Sequence, residues 1–279
     1  VLVSTYAGVR VLDARTGRLG AAVASPPDPS NDATWSPDGR ATAFASFDGA
    51  VHVLRPGAAP LVMRHGTGMP YVARWSADGT RLVVCWTDNA VTVVDVATGA
   101  TVSTLVHDAA PTDAQWVGRY VVTGDSAGTA RVWDVRSGRV VSVLRGHTDY
   151  IPYAAVSPDG TRIATTSYDN TARTWRLDDA LPSLSLATAK PVVGAAPVPG
   201  STTAVMATSA GSVSVVDLTT MTVEREIDRD ASGVPAVSAD GRRVAVIAAQ
   251  PVPAVRIRDV ASGSLVSTVT DLGERSGDT

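Results

Sequence analysis

Hydrophobic residues recur along the chain in short runs that are separated by polar turns. The runs are rich in Val, Ile, Leu and Thr, which favour strands over helices. Seven runs end in a residue pair that recurs every 39 to 42 residues. These pairs are Leu12-Asp13, Leu54-Arg55, Val94-Asp95, Trp133-Asp134, Trp175-Arg176, Val216-Asp217 and Arg258-Asp259. The pattern predicts an all-β chain made of repeated supersecondary units.

A period near 40 residues with a strand-ending Trp-Asp pair is typical of a β-propeller, in which each repeat forms one four-stranded sheet. The sequence therefore predicts a seven-bladed β-propeller of four-stranded antiparallel blades. The clearest repeat predicts strands at 140–144, 151–156, 162–167 and 171–177. We expect one propeller domain over 1–270 and a disordered tail over 271–279, which is rich in Gly, Ser, Asp and Glu.

A glycine turn recurs with the same period as the strands. Its clearest copies are Ser-Pro-Asp-Gly or Ser-Ala-Asp-Gly, and two degraded copies keep only the glycine. The six glycines are Gly39, Gly79, Gly118, Gly160, Gly200 and Gly241. Glycine supplies the positive φ that such a turn needs, which explains why it persists where its neighbours vary.

These features resemble the WD-repeat (Trp-Asp repeat) family of seven-bladed propellers, and the resemblance covers essentially the whole chain. In that family, a buried hydrogen-bond set joins a loop His, a strand Ser or Thr, a turn Asp and the strand-ending Trp. The resemblance assigns this set to His147, Thr165, Asp169 and Trp175. Other repeats depart from it. Leu54 and Val94 replace the Trp, Ala127 replaces the Asp beside His107 and Trp133, and the last two repeats lack both His and Trp.

The resemblance also implies that the first strand of each sequence repeat completes the preceding blade. The N-terminus then supplies the first blade with strands near 2–5, 9–13 and 19–23, without an innermost strand. We expect that strand to lie upstream in the native protein, or the first blade to have three strands. The chain starts inside a strand and without Met, so we interpret it as a piece of a longer protein.

Charge and cysteine content narrow the classes of partner and compartment. The net charge of −3 leaves no basic stripe for nucleic acid, and no apolar run reaches the ~18 residues of a membrane span. The single cysteine, Cys85, excludes an internal disulfide, and its apolar strand predicts a buried thiol. We therefore expect a cytoplasmic protein with no nucleic-acid or membrane partner.

The chemistry-bearing residues do not form a recognisable catalytic motif. The four histidines, at 52, 65, 107 and 147, lack metal-ligand spacing, and no phosphate-binding glycine loop occurs. Thr165, His147 and Asp169 could be imagined as a catalytic trio, but a nucleophile must be exposed, whereas the resemblance buries all three. We expect no catalytic residue, no metal and no cofactor, and hence not an enzyme.

Aromatic and Met residues in the loops at one end of the blades mark a candidate partner surface. Binding and catalytic residues concentrate on loops held by a rigid scaffold, and aromatic anchors dominate interface energetics. The candidate positions are Asn31, Phe47, Met69, Tyr71, Tyr150 and Tyr168. The alternative interpretation is that these side chains pack against neighbouring blades as lids.

Two functions remain open from the sequence. The first is a non-catalytic scaffold or sensor that binds a protein or peptide and is monomeric as an isolated domain. The Ala-, Val-, Arg- and Gly-rich composition indicates a GC-rich bacterial genome, where the resemblance implies attachment to larger signalling proteins. The alternative is a secreted or surface propeller that binds a small ligand, or acts as an enzyme, through its central channel.

Overall fold

The computed structural model describes residues 2–5, 8–12, 18–24, 30–157, 159–177, 182–248 and 254–270. Every regular element in these ranges is a β-strand. Among them there is accordingly no helix long and apolar enough to cross a membrane. The predicted tail at 271–279 lies outside the described residues.

The strands form seven antiparallel sheets. The first, called the N-terminal sheet, contains β1 (Leu2–Thr5), β2 (Gly8–Leu12) and β3 (Leu19–Ala24). Blade 1 contains β4 (Ser30–Trp35), β5 (Thr42–Ser46), β6 (Val51–Leu54) and β7 (Leu61–Met63). Blade 2 contains β8 (Pro70–Trp75), β9 (Arg81–Trp86), β10 (Ala90–Asp95) and β11 (Thr101–Val106). Blade 3 contains β12 (Pro111–Val117), β13 (Tyr120–Asp125), β14 (Ala130–Asp134) and β15 (Arg139–Leu144).

The remaining three blades repeat the same order of strands. Blade 4 contains β16 (Tyr153–Val156), β17 (Arg162–Thr166), β18 (Thr171–Arg176) and β19 (Pro182–Ala187). Blade 5 contains β20 (Val192–Pro197), β21 (Thr203–Thr208), β22 (Val213–Asp217) and β23 (Thr222–Asp228). Blade 6 contains β24 (Ala231–Val237), β25 (Arg243–Ala248), β26 (Ala254–Asp259) and β27 (Leu265–Val269).

Consecutive blades pack through their first strands, so that β4 contacts β8, β8 contacts β12, and the relation continues to β24. The second and third strands are buried along most of their length, as in β9 and β10, whereas fourth strands such as β11 are mostly exposed. Blades that bury their inner strands and expose the outermost one make a β-propeller. The predicted all-β propeller of four-stranded antiparallel blades is confirmed.

The predicted count of seven four-stranded blades is wrong, because the described residues form six. The strand that ends at Leu12 belongs to the N-terminal sheet, where β1 pairs with β2 and β2 with β3. That sheet packs on blade 1 through contacts of β1 with β4. A strand-ending pair marks one strand of each repeat and does not report how many strands precede it. The three strands expected near the N-terminus are present as the N-terminal sheet, and six four-stranded blades follow it.

Apolar clusters fill the space between neighbouring blades. Leu82 and Trp86 of blade 2 pack with Val51 and Val53 of blade 1, and all four side chains are essentially inaccessible to solvent. Ile163 of blade 4 packs in the same way against blade 3. Strands buried on both faces read as continuous hydrophobic runs, which is why the sequence showed runs instead of a polar alternation.

The recurring glycine turn has the predicted backbone. All six turn glycines have positive φ, between 56° and 74°. In the clearest copy the Ser36 hydroxyl donates to Asp38, whose carboxylate also accepts the amide of Arg40 at 3.0 Å. These bonds close the turn between the first and second strands, and they place it at the end of the blade opposite the candidate partner surface.

Candidate interaction surface

The residues predicted for partner binding lie at the end of the blades where second strands meet third strands and where each blade enters the next. Phe47, Tyr71 and Tyr168 are 51%, 41% and 43% exposed. Met69 and Tyr150 are half-buried. Asn31 lies in β4, and its side chain is outside the described part of the structure. The structure thus exposes three of the six positions.

Three of the predicted tyrosines meet in one group. The rings of Tyr150 and Tyr168 have centroids 5.1 Å apart and are inclined at 42°. The side chains of Tyr150 and Tyr71 interact electrostatically. Burial, together with that interaction, raises the pKa of Tyr150 above its ordinary value, so the phenol stays protonated and can donate. Tyr71 belongs to blade 2, and Tyr150 and Tyr168 belong to the entry and turn of blade 4.

A fourth tyrosine joins this group, and the sequence did not single it out. Tyr153 begins β16, is half-buried, and interacts electrostatically with both Tyr71 and Tyr150. Burial and the nearby Asp113 carboxylate raise its pKa. We call Tyr71, Tyr150, Tyr153 and Tyr168 the tyrosine cluster. It gathers four of the chain's six tyrosines on blades 2 and 4.

A β-bulge re-aims Tyr71. Pro70 pairs with Trp86 and Val72 pairs with Cys85, so Tyr71 is an extra residue with no partner in the register. The same irregularity recurs in β4 between Ser30 and Asp32. A bulge kinks its strand and redirects one side chain, and bulges concentrate beside functional sites. Period-two alternation cannot reveal such a residue, because the bulge breaks the period.

Three charged side chains on the first strands of blades 1 to 3 lie near the tyrosine cluster. Arg74 of β8 donates to Asp32 of β4, and its other terminal nitrogen lies 3.9 Å from Asp113 Oδ1. Asp32 also accepts the amide of Ala73 at 3.1 Å, and Asp113 accepts the amide of Ala154 at 3.0 Å. Each carboxylate therefore fastens its own blade to the next one.

Asp113 is completely buried, and its Oδ1 has no hydrogen-bond partner. Burial raises the pKa of Asp113 to about 6, although Arg74 and the Ala154 amide act in the opposite direction. The same two carboxylates hold the pKa of Arg74 above its ordinary value, so the guanidinium remains charged. The group is a structural bridge with a carboxylate that is close to protonation at neutral pH.

Phe47 lies in the turn between β5 and β6 of blade 1, and Met69 lies directly before β8 of blade 2. Met69 Sδ lies beside the Phe47–Gly49 turn, 3.6 Å from where a Cβ on Gly49 would stand. Within the described residues, no ring contact connects Phe47 with the tyrosine cluster. The structure therefore divides the predicted surface into two parts.

The structure brings His147, Thr165, Asp169 and Trp175 together in blade 4. His147 Nδ1 lies 2.9 Å from Asp169, and its Nε2 lies 2.8 Å from the Thr165 hydroxyl. The Trp175 indole N–H donates to the same hydroxyl at 2.8 Å. Burial lowers the pKa of His147, although Asp169 opposes that shift. The imidazole is thus neutral at pH 7.

This set fixes the loop that carries Tyr150. Asp169 also accepts the amide of Thr148 at 3.1 Å, and the Ser167 hydroxyl donates to the carbonyl of Asp149 at 2.8 Å. The amide of Tyr168 then donates to the carbonyl of Tyr150 at 3.0 Å. The hydrogen-bond set therefore positions two members of the tyrosine cluster.

Blade 3 contains a related set that sequence alignment missed. The sequence predicted that this blade lacks the turn aspartate, because Ala127 occupies its position. Asp125, two positions earlier, supplies the carboxylate instead. Asp125 lies 3.8 Å from His107 and accepts from Arg131 at 2.5 Å, and Trp133 donates to Thr123 at 2.8 Å. A carboxylate at the end of β13 reaches the same space as one in the following turn.

Blade 2 contains a related set in which the Trp and the Thr have exchanged strands. Trp86 ends the second strand, and its indole N–H donates to Thr92 in the third strand at 2.8 Å. In blade 4 the Thr is in the second strand and the Trp is in the third. His65 completes the arrangement, 3.9 Å from Asp88 and 5.6 Å from the Trp86 ring. Exchanging the partners preserves the bond because the two strands are adjacent.

The described residues contain no group of three or more His, Cys, Asp or Glu side chains arranged to hold a metal ion. Cys85 is buried in β9, and burial raises the pKa of its thiol.

Comparison with known proteins finds a family match in a stretch that runs from the end of blade 3 through blade 4. Residues 138–176 match the family described as WD domain, G-beta repeat. The guanine nucleotide-binding protein subunit beta-5b of Danio rerio is 37% identical over 71 residues, which are 25% of this chain and 18% of that protein. WD repeat-containing protein 55 of Arabidopsis thaliana is 27% identical over 145 residues, 49% of this chain and 41% of that protein. The chain thus spans less than half the length of these relatives.

A solved structure shares the architecture over most of the chain. A chain in the crystal structure of the mitotic checkpoint complex superposes with a TM-score of 0.79, covering 88% of this chain and 81% of that one. The sequence identity is 18%. At that identity the likeness concerns the fold alone.

Proposed function

We propose that this chain is a WD-repeat propeller that binds a protein or peptide through the tyrosine cluster and carries out no chemistry of its own. The observation that carries the proposal is the gathering of four of the six tyrosines at one end of the blades. Tyrosine supplies a large contact area and a hydroxyl at small cost in conformational entropy, which suits binding surfaces.

The exposure of two rings and the fixed loops around the tyrosine cluster support this proposal. Tyr71 and Tyr168 remain more than 40% exposed although they are large and partly apolar. The loop of Tyr150 is fastened by the His147 and Asp169 set, so the surface is preorganised and a partner does not have to order it. Most polar groups beside the cluster already have partners, which leaves the rings as the groups that gain most from contact.

The proposal extends to the rest of the molecule. We propose one propeller domain over 1–270 that is monomeric as an isolated unit, acts in the cytoplasm, and serves a larger bacterial signalling protein as scaffold or sensor. The composition and the single buried thiol support this placement. The alternative, a ligand or substrate in the central channel, finds less support. Asp32 and Asp113 are engaged with Arg74 and with the neighbouring blades.

Peptides selected from a phage-displayed random library on this chain provide the probe. We expect the enriched peptides to bind about tenfold or more weakly to Tyr71→Ala and to Tyr168→Ala, because each change removes an exposed ring. Tyr120→Ala is the matched control, since Tyr120 lies at the opposite end of blade 3. Equal affinity for all three variants, each shown to be folded by thermal unfolding, would exclude the tyrosine cluster as the binding surface.

A further inference from the structure

Blade 5 has no copy of the hydrogen-bond set of blade 4, and the strand pairing shows which residues stand in its place. In the register of the second and third strands, Val216 has the position of Trp175. In the same register, Met206 has the position of Thr165. Val216 has no N–H to donate, so the bond between indole and hydroxyl in blade 4 has no counterpart in blade 5.

Backbone hydrogen bonds match the loops of the two blades in the same way. In blade 4 the amide of Tyr168, in the turn, donates to the carbonyl of Tyr150, in the entry loop, at 3.0 Å. In blade 5 the amide of Ser209 donates to the carbonyl of Pro191 at 2.8 Å. Counting from these bonds gives the residues at the positions of the loop histidine and the turn aspartate, which are Thr188 and Ala210.

In blade 4 the chain's own side chains fill the space around the tryptophan. A Cβ placed on Gly146 would lie 3.1 Å from Arg173 Nη1 and 3.6 Å from the Trp175 ring, so even a methyl group would be crowded there. The ring of His147 lies 6.3 Å from the indole, centroid to centroid. Trp175 itself is fully buried.

In blade 5 the same space is an open cleft of about 300 Å³. Its lining includes the counterpart of every residue just described. The counterparts of Gly146, His147, Thr165, Asp169, Arg173 and Trp175 are, in that order, Ala187, Thr188, Met206, Ala210, Ser214 and Val216. An indole, a guanidinium, an imidazole and a carboxylate thus give way to smaller groups. The resulting volume reaches the lower end of the range of small-molecule sites.

The walls of the cleft suit an aromatic ring. Leu186, Met206 and Val216 supply apolar surface. The thioether of methionine makes favourable contacts with aromatic rings. The corresponding space in blade 4 holds two rings, so a flat ring of similar size fits between the same strands.

One charge lies at the edge of this apolar cleft. Lys190, the only lysine of the chain, is exposed and is the only charged residue of the lining. It forms no ion pair with any residue that the structure describes. The Glu226 carboxylate accepts from Ser212 in the lining at 3.2 Å, but it is also paired with Arg229 at 3.0 Å. A carboxylate that enters the cleft therefore meets an ammonium group with no other ion-pair partner.

We propose that this cleft of blade 5 binds a small aromatic carboxylate. The ring takes the place that the indole and the imidazole have in blade 4, and the carboxylate pairs with Lys190. None of the four residues of the tyrosine cluster lines the cleft. The ligand site and the proposed peptide-binding surface can therefore be tested separately.

The test follows the methionine methyl resonances of this chain by ¹³C–¹H NMR, with 3-phenylpropionate as the probe and Met206→Leu and Met221→Leu for assignment. We expect a saturable shift of the Met206 resonance. We expect none at Met221, which lies in the turn at the other end of blade 5. Lys190→Gln should weaken binding of the carboxylate about threefold, because it removes a solvent-exposed ion pair, and should leave binding of 3-phenylpropionamide unchanged.

Two variants fill the cleft and so test its position. Val216→Trp installs the residue of blade 4, and Ser214→Leu fills the cleft from a half-buried position that tolerates the change more easily. Each should weaken binding about tenfold or more, because the side chain occupies the space of the ring. Thr202→Leu, at an exposed position at the other end of blade 5, is the matched control and should bind as the original chain does. Thermal unfolding shows which variants are folded, and Ser214→Leu decides if Val216→Trp is not.

Three outcomes would overturn the proposal. The first is a Met206 resonance that does not show a saturable shift. The second is unchanged affinity in the folded variants that fill the cleft, which would place the ligand elsewhere. The third is equal affinity for the amide or for 3-cyclohexylpropionate, which would show that the cleft does not select an aromatic carboxylate.

Discussion

Blades 4 and 1 have the same backbone plan and different means of fastening their loops. In blade 4, His147 reaches from the entry loop to Asp169 in the turn and to Thr165 in the second strand. In blade 1, His52 sits in the third strand, lies 2.9 Å from Asp48, and stacks on Phe44 with centroids 5.0 Å apart and 7° between the planes. The set in blade 4 joins loop to sheet, whereas the pair in blade 1 stays within the sheet and its turn.

This difference indicates that a blade folds with either arrangement, and that the arrangement decides which loops are rigid. The apolar contacts between blades are present in both cases. Of these two blades, only blade 4 uses a histidine to hold its own entry loop, and that loop carries Tyr150. We infer that the hydrogen-bond set of blade 4 orders a surface, and that apolar packing suffices in blade 1.

The largest expected effect comes from the strand-ending residue. Trp175→Ala should lower the free energy of unfolding by about 3–5 kcal/mol, because it empties a fully buried site and leaves Thr165 without its donor. Leu54→Ala, at the matching position of blade 1, should cost about 1–2 kcal/mol because Leu54 is half-buried. Urea unfolding measures both. Equal losses of unfolding free energy in the two variants would show that both blades depend equally on the strand-ending residue.

The two turn carboxylates should differ in acid. Burial raises the pKa of Asp169, but hydrogen bonds from Thr171 and His147 outweigh it and bring the value to about 2. A folded pKa below the unfolded value gives stability that is present above about pH 4 and is lost as the pH falls toward 2. We expect Asp169→Asn to remove about 1–2 kcal/mol of this stability at neutral pH. Acid unfolding followed by circular dichroism measures it.

Asp48 is the control for that experiment. Its pKa is also lowered, by His52, the Ala50 amide and Arg64 against the effect of burial. Asp48→Asn should change the acid transition less than Asp169→Asn, because the Asp48 carboxylate reaches the loop into blade 2 only through the exposed Arg64, at 3.6 Å. A larger change in Asp48→Asn would reverse the ranking of the two blades.

Binding should separate the two parts of the aromatic surface. For peptides selected on this chain, Tyr150→Ala should weaken binding about tenfold, because Tyr150 contacts both Tyr71 and Tyr168. Phe47→Ala should change affinity by less than about threefold, since no ring contact connects Phe47 with the tyrosine cluster. Titration calorimetry compares the variants. A dominant loss in Phe47→Ala would move the binding surface to blade 1.

The smallest expected effect concerns the paired and unpaired indoles. Trp116→Phe should cost about 1 kcal/mol, because it removes a hydrogen bond and leaves the Arg74 carbonyl without its donor. Trp75→Phe should be neutral or slightly stabilising, because it removes an enclosed N–H that has no acceptor. Chemical denaturation of the two variants measures both changes in the free energy of unfolding. A loss in Trp75→Phe equal to that in Trp116→Phe would mean that Trp75 has an acceptor in solution.

The repeat pattern predicted the four strands of the clearest repeat with errors of two residues or fewer. In blade 4, the strands expected at 151–156 and 171–177 are β16 (Tyr153–Val156) and β18 (Thr171–Arg176). Boundaries of this kind are local, because turn glycines with positive φ and apolar runs fix them. The polar sets of blades 2 and 3 were not predicted, because alignment assumes that a role stays at one position. Asp125 and Trp86 fill roles from different positions.

The sequence by itself determined the all-β class, the strand and turn positions and the candidate aromatic residues, because each depends on the chemistry of neighbouring residues in the chain. Only the tertiary structure decided the number of complete blades, the division of the aromatic residues into two groups, and the part that Tyr153 plays. It also showed that the Arg55 Nε–H and the Trp75 indole N–H lack acceptors. These features depend on which strands, about 40 residues apart in the sequence, become neighbours in the fold. Local propensity does not encode that choice of neighbours.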